Sequence, residues 1–243
     1  MDNTQYINLS HLTALRRQMD IVANNIANMS TTAYKGEKPL FSSFIDKAEN
    51  GETINYVQDF GVVRNLKSGT ITPTGNPLDI AINGEGYFQV QTKDGIRYTR
   101  AGNFSLDTSG QLTTRDGLLI LDNLQNKKPI SIPQGTKNIT ISQTGEVNAD
   151  NTQVGSLAVV TFDNERDLKK LENGLYETTQ QPKPVTRFEL HQGMIEGSNV
   201  QPILEMAEMI NVSRNYEQAQ KFLDTEDQRQ RKAVSTLSGT SAQ

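Results

Sequence analysis

The residues that could carry acid–base or metal chemistry are few and scattered. The two histidines, His11 and His191, have no cysteine, carboxylate or second histidine at ligand spacing. The chain has no cysteine, which removes disulfides, thiolate zinc sites and a cysteine nucleophile. Gly84-Glu85-Gly86 lacks the third glycine and the following helix of a dinucleotide motif, so it reads as a turn. There is no Gly-x-Ser-x-Gly elbow and no P-loop. Asp94, Asp107 and Asp116 fall at or near turns, where aspartate is favoured by its own side-chain hydrogen bonds, and nothing selects a glycosidase pair among them. Tyr98-Thr99-Arg100 reads as a strand whose arginine pairs with a nearby carboxylate. No catalytic, cofactor-binding or metal site is expected, and no cofactor.

The amides are more suggestive. Asn24, Asn25 and Asn28 crowd one stretch, and asparagine is a weak helix former with both donor and acceptor. Two readings stand: a frayed helix end with its side chains in water, or amides that bond to neighbouring subunits and fix register.

The elements around them are two striped ends and a strand-rich middle. Leu12, Leu15, Met19, Val22, Ile26 and Met29 alternate steps of three and four, as do Met209, Val212, Tyr216, Ala219 and Leu223, with Met206 ahead of them. That spacing lays each set on one helical face, and a lone helix with such a stripe is marginal in water. The stripes need partners: each other, neighbouring subunits, or both. Between them, Leu78-Asp79-Ile80-Ala81-Ile82 alternates, and Tyr87-Phe88-Gln89-Val90 enters a hairpin whose Asp94-Gly95 turn suits type I′ geometry. Further turns at Ser109-Gly110, Asp116-Gly117, Thr144-Gly145 and Asn173-Gly174 punctuate short strands at 118–121, 138–142, 156–163 and 185–190. The fold class is α+β: an antiparallel β-rich central domain, barrel- or sandwich-like, with N- and C-terminal helices pairing as a coiled coil.

The expected division is an N-terminal helix within 1–32, an extended connector at 33–75, the β-rich domain at 76–192, a C-terminal helix within 193–237 and a disordered tail at 238–243. Phe41, Phe44 and Ile45 make a small apolar knot, read as one helical turn, in a connector otherwise read as extended with short strands. Pro202 suits the first turn of the last helix, with Ser198 or Asn199 as its cap.

Composition sets outer bounds. Of 243 residues only 35% are hydrophobic and 21% are charged, which favours a multi-part chain over one sphere. The net charge of −4 and the lack of a basic stripe argue against nucleic acid. No apolar run approaches the roughly 20 residues of a membrane span. The N-terminus has neither a basic n-region nor an apolar h-region, so no cleavable secretory signal is expected.

Several motifs taken in order resemble the flagellar rod and hook proteins of bacteria. They are Ala23-Asn24-Asn25-Ile26-Ala27-Asn28 with Thr31, Tyr34 and Lys35; Leu78-Asp79-Ile80-Ala81-Ile82; Gly86-Tyr87-Phe88; Tyr98-Thr99-Arg100-Ala101-Gly102-Asn103-Phe104; Gly110-Gln111-Leu112; and Glu196-Gly197-Ser198-Asn199-Val200 followed by Met206, Met209, Arg214 and Tyr216. The resemblance covers most of the chain. Pro202, the Met19-Asp20-Ile21-Val22 opening and the short length are similar to the proximal-rod members. Distal-rod members usually have a polar residue in place of Pro202, and hook proteins usually carry larger inserted domains. Ala33 stands where the family commonly has glycine, which casts doubt on a positive-φ turn there.

The resemblance implies a structural subunit of the basal-body rod in the periplasm. It implies export, unfolded and without signal cleavage, through the flagellar type III apparatus. The implied partners are copies of the chain and other rod proteins, with the terminal helices lining a tube and the β-domain outside. Expected interface residues are Leu12, Leu15, Met19, Val22, Asn24, Asn25, Ile26, Asn28, Asn199, Met206, Met209, Val212, Arg214, Tyr216 and Leu223. Phe41-Ser42-Ser43-Phe44-Ile45 resembles the element by which early flagellar substrates engage the export gate, with Phe41 and Ile45 as its apolar residues; a local anchor for the connector is the preferred account. Rival readings are a distal-rod or hook subunit, a secreted carbohydrate- or surface-binding β-domain with oligomerising helices, and a wall-lytic enzyme.

Overall fold

A computed structural model describes residues 2–47, 53–123, 128–185, 187–237 and 239, with side chains left undescribed at 2–6, 43–47, 53–59 and 237. The chain forms two compact units and passes between them four times. The first comprises Met1–Ala27, Glu37–Arg64 and Gln201–Gln243; the second comprises Asn28–Gly36 and Asn65–Val200.

The first unit is two helices and a hairpin. Helix α1 (Asp2–Ala27) and helix α2 (Pro202–Leu237) pair along the striped faces. Leu15, Val212 and Ala219 are buried together, with Leu12, Met19 and Tyr216 against them. Pro202 opens α2, where its missing N–H costs nothing, and the first turn closes from Glu205 N–H to the Gln201 carbonyl at 3.1 Å. The side-chain oxygens of the expected caps are engaged elsewhere: the Ser198 hydroxyl accepts from Val200 N–H and the Asn199 carbonyl oxygen from Gly36 N–H.

The expected connector differs most from what is found. Residues 37–64 form a long antiparallel hairpin of β1 (Glu37–Lys47) and β2 (Thr53–Arg64), in register from Glu37 opposite Arg64 to Lys47 opposite Thr53. Phe41, Phe44 and Ile45 therefore lie on a strand rather than a helical turn. The pairing slips between Leu40 and Phe41, leaving Phe60 as the extra residue of a bulge beside Gly61 at φ 132°. Gly61 thus marks a bulge inside a strand and not its end. Helix α1 also packs on this hairpin, and Ala14, Ile21 and Asn25 are buried on it in addition to the expected stripe.

In the second unit every described strand pairing is antiparallel. The strands are β3 (Ile71–Pro73), β4 (Ile80–Gly84), β5 (Tyr87–Thr92), β6 (Gly95–Thr99) and shorter ones after them. The main sheet runs 169–170, 175–177, β6, β5, 119–120, 112–113, 105–106, with 159–161 also on β5. Strand Phe188–Gln192 pairs with β4 and Met194–Glu196 with β3. These make an open arrangement of sheets and not the closed barrel allowed for above. One core gathers Ile80, Ile82, Phe88, Val90, Leu112 and Ile120 among others. A second gathers Tyr87, Tyr98, Phe162 and Tyr176 through edge-on ring contacts.

The β5–β6 hairpin is present, but its turn is not type I′. Lys93 and Asp94 lie between the paired Thr92 and Gly95 and keep negative φ, and only Gly95 turns positive, at 113°. A two-residue hairpin turn with positive φ at both positions is Asp150-Asn151, at 46° and 73° between Ala149 and Thr152. Gly102 is required by contact: a Cβ there would lie 1.7 Å from the Ile80 carbonyl oxygen. Gly102→Ala should abolish cooperative unfolding of this unit in urea. Gly117→Ala, where open space surrounds a φ of 79°, should cost only about 1–2 kcal/mol.

Candidate assembly surfaces and the buried latch

Glu196 ends the last strand of the second unit, and its side chain is 1% exposed. One carboxylate oxygen accepts from Lys35 Nζ at 2.6 Å and Gly69 N–H at 2.8 Å. The other accepts from Arg100 Nε at 2.5 Å. Lys35 and Arg100 are nearly as buried, so one anion sits between two cations. The surplus positive charge is met by carbonyl dipoles. Arg100 donates to the carbonyls of Gly84 and Gly86 and to the Ser68 hydroxyl, and Lys35 to the Lys67 carbonyl. Buried charges are tolerable only when so surrounded. Burial holds the Lys35 ammonium below the ordinary lysine range, against the pull of Glu196.

Asn199 completes the latch. Its carbonyl oxygen accepts from Gly36 N–H at 2.8 Å, and its amide donates to the carbonyls of Asn65 and Lys67 at 2.8 and 2.7 Å. Gly36 and Asn65 are residues at which the chain leaves the unit, and Asn65 N–H donates to the Gly36 carbonyl. Ala33 takes φ 55° and donates to the Glu196 carbonyl at 2.8 Å. The left-handed turn therefore forms with alanine in glycine's usual place, at a cost of about 1–2 kcal/mol. Lys170 Nζ lies 4.3 Å from the centre of the Tyr34 ring, holding the same segment by a cation–π contact.

In the first unit the expected interface residues divide. Leu12, Leu15, Met19, Val212 and Tyr216 form the seam between α1 and α2. Val22 is buried, and Ile26, Met209 and Leu223 are half-buried. Asn25 is 1% exposed: its amide donates to the Glu37 carbonyl and to Glu205, and its oxygen accepts from Glu37 N–H. Asn25 and Asn199 thus both bond within the chain. Asn24, Met206 and Arg214 are exposed, and Asn28 is half-exposed in the turn after α1. Phe41 is half-buried on β1; the side chain of Ile45 lies outside the described residues, as does the expected tail apart from Gly239.

Away from the seam, α2 leaves Ile203 at 82% and Ile210 at 52% exposure on its far side, and Leu204 at 62% and Phe222 at 49% on one flank. These go beyond the residues picked from the stripe, although Ile203 and Ile210 sit seven apart and so share a face. His11 is exposed and His191 half-buried, and Asp94, Asp107 and Asp116 all sit in exposed turns.

Removing the anion should be severe. Glu196→Ala strands two buried cations, and urea denaturation should show a loss of about 3–5 kcal/mol. A pH series should separate the Lys35 contribution. Its folded pKa lies below the unfolded 10.5, so the folded state releases the proton first and stability rises with pH through that window. The stability difference between the native chain and Lys35→Met should accordingly widen toward alkaline pH.

Three family models match separate stretches. "Flagella basal body rod protein" covers 6–35, "Flagellar hook protein FlgE/F/G D1 domain" covers 81–149, and "Flagellar basal body rod FlgEFG protein C-terminal" covers 191–236. Lys35, Arg100 and Glu196 fall one in each. Among curated relatives, the flagellar basal-body rod protein FlgF of Caulobacter vibrioides is 38% identical, with 98% of each chain covered. The basal-body rod protein FlgG of Agrobacterium fabrum is 33% identical over 88% of this chain and 92% of the relative. That of Bacillus subtilis is 30% identical over 92% and 94%. With three models matched in order and a relative aligned nearly end to end, the chain belongs to the flagellar basal-body rod protein family of bacteria.

Proposed function

We propose that the chain is a subunit of the proximal rod, acting in the periplasm without a catalytic step. It polymerises with copies of itself and with other rod proteins, and reaches its site unfolded through the flagellar type III apparatus without loss of a leader. The observation that carries this reading is the set of large apolar side chains that α2 leaves in solvent. Full burial of a large apolar side chain is worth about 1.5–3 kcal/mol, so Ile203, Leu204, Ile210 and Phe222 offer a substantial drive for association. The occupant is the helical face of another rod subunit, met head to tail, because a shaft needs contacts that do not close into a small ring. Pro202 supports the proximal position. A distal position is the second reading, and localisation of the tagged chain along the rod separates the two.

A double substitution tests the assembly surface. Ile203→Glu with Ile210→Glu should leave the purified chain as stable as before, within about 0.5 kcal/mol for exposed sites. In cells it should leave basal bodies without an extended rod when viewed by electron microscopy. Rods of normal length and normal swimming would overturn the assignment of this face.

A further inference from the structure

We propose that the Lys35–Glu196–Arg100 cluster and Asn199 act as a mechanical stop that keeps the chain exits of the β unit from peeling apart under load. The proposal rests on the reading that the chain works inside a torque-bearing shaft. It comes from the direction in which the segments run. Strand Met194–Glu196 is antiparallel to β3, with Glu196 opposite Ile71. Residue 65 precedes β3 and residue 200 follows the last strand, so both exits leave from the same end of this pair. Segment 33–36 runs alongside 196–199, tied by Ala33 N–H to the Glu196 carbonyl and by Asn199 N–H to the Tyr34 carbonyl at 3.1 Å. Its exit at Gly36 also points to that end.

Load applied to such a set of exits opens a ladder like a zip, one hydrogen bond after another. A single backbone hydrogen bond has a net worth of only about 0.5–1.5 kcal/mol, so a bare zip yields easily. Here the first contacts to be loaded are the three bonds of Asn199 to Gly36, Asn65 and Lys67. Behind them stands the Glu196 carboxylate, which must release Lys35, Arg100 and Gly69 before the strands part. Parting one of these contacts before water reaches the site leaves a buried charge without its partner, which turns a sequential peel into one concerted rupture. Close approach is built in as well: a Cβ on Gly69 would lie 2.0 Å from the Gly197 carbonyl oxygen, so these two segments meet backbone to backbone.

Forced unfolding of the full-length chain tests this. The protein has no cysteine, so thiols placed by Lys38→Cys and Gln201→Cys, both exposed positions, give unique handles just outside the exits. Pulled between them in an optical trap, the chain with native latch residues should rupture in one step. Adding Asn199→Ala, which removes no charge and should fold, should lower the rupture force and add a short early extension as residues 33–36 and 196–200 separate. Adding Glu196→Gln should lower the force further. Cooperative urea unfolding of the Asn199→Ala chain confirms that the sheet beneath is intact. The same force and the same single step in Asn199→Ala and in any folded Glu196→Gln chain would overturn the proposal. This readout needs no rod, so its failure is separate from a failure of the assembly reading.

Discussion

A carboxylate between two cations in a buried site constrains a chain more tightly than any apolar contact. Apolar side chains tolerate a shift of a fraction of an ångström, whereas Lys35 or Arg100 without Glu196 would be an unpaired charge out of reach of water. Glu196 therefore fixes where three distant stretches meet. Lys35 brings the turn that follows α1, Gly69 and Lys67 bring the strand approach to β3, and Arg100 brings the end of β6. The glycines at 69 and 102 follow from the same convergence, since each marks a backbone approach with no room for a side chain. Ala33 follows too: its left-handed turn is tolerated because the Glu196 carbonyl takes its N–H.

The helical unit obeys a looser rule. Its seam is a short run of Leu, Met, Val and Tyr contacts, which depend on area and not on angle. Such a surface can be left incomplete at modest cost, because exposed apolar groups forgo stabilisation without suffering the penalty of a stranded charge. α1 is covered on two faces, by α2 and by the β1–β2 hairpin, whereas α2 retains Ile203, Leu204, Ile210 and Phe222 in solvent. Asn25 is the exception, an amide fully satisfied by the Glu37 backbone and Glu205. It sets the height of β1 against both helices in a way that sliding apolar contacts would not.

What could be read from the sequence tracks how local the physics is. Leu12, Leu15, Met19, Val212 and Tyr216 were legible because a helical face repeats within a few residues. The β5–β6 hairpin was legible from its alternation, but its turn type was not. Positive φ falls on Gly95 alone, and Asp-Gly fits both geometries. The β1–β2 hairpin was obscured because Phe41, Phe44 and Ile45 stand at helix-like intervals while Gly61 resembles a terminator. The strand is recognisable only from its partner. Asn25 and Asn199 stand out by their chemistry, but nothing adjacent to them in sequence says that Glu37 and Gly36 are among their partners. Arg100 was expected to have a carboxylate partner, but Glu196 lies 96 residues away, beyond any spacing rule.

The two kinds of contact suit the two tasks of a rod subunit. A subunit that must join other rod proteins needs a surface whose stabilisation arrives only on assembly, and apolar area supplies this with little demand on register. A subunit that must keep its shape once joined needs contacts that fail together and not in sequence. Hydrogen bonds in a ladder fail in sequence, while a carboxylate shared by Lys35, Arg100 and Gly69 cannot lose one partner without leaving another stranded. The family matches divide the chain into three stretches, and Lys35, Arg100 and Glu196 draw one residue from each. The unit is thus closed by residues from the beginning, middle and end of the chain, and it is complete only when Glu196 is in place.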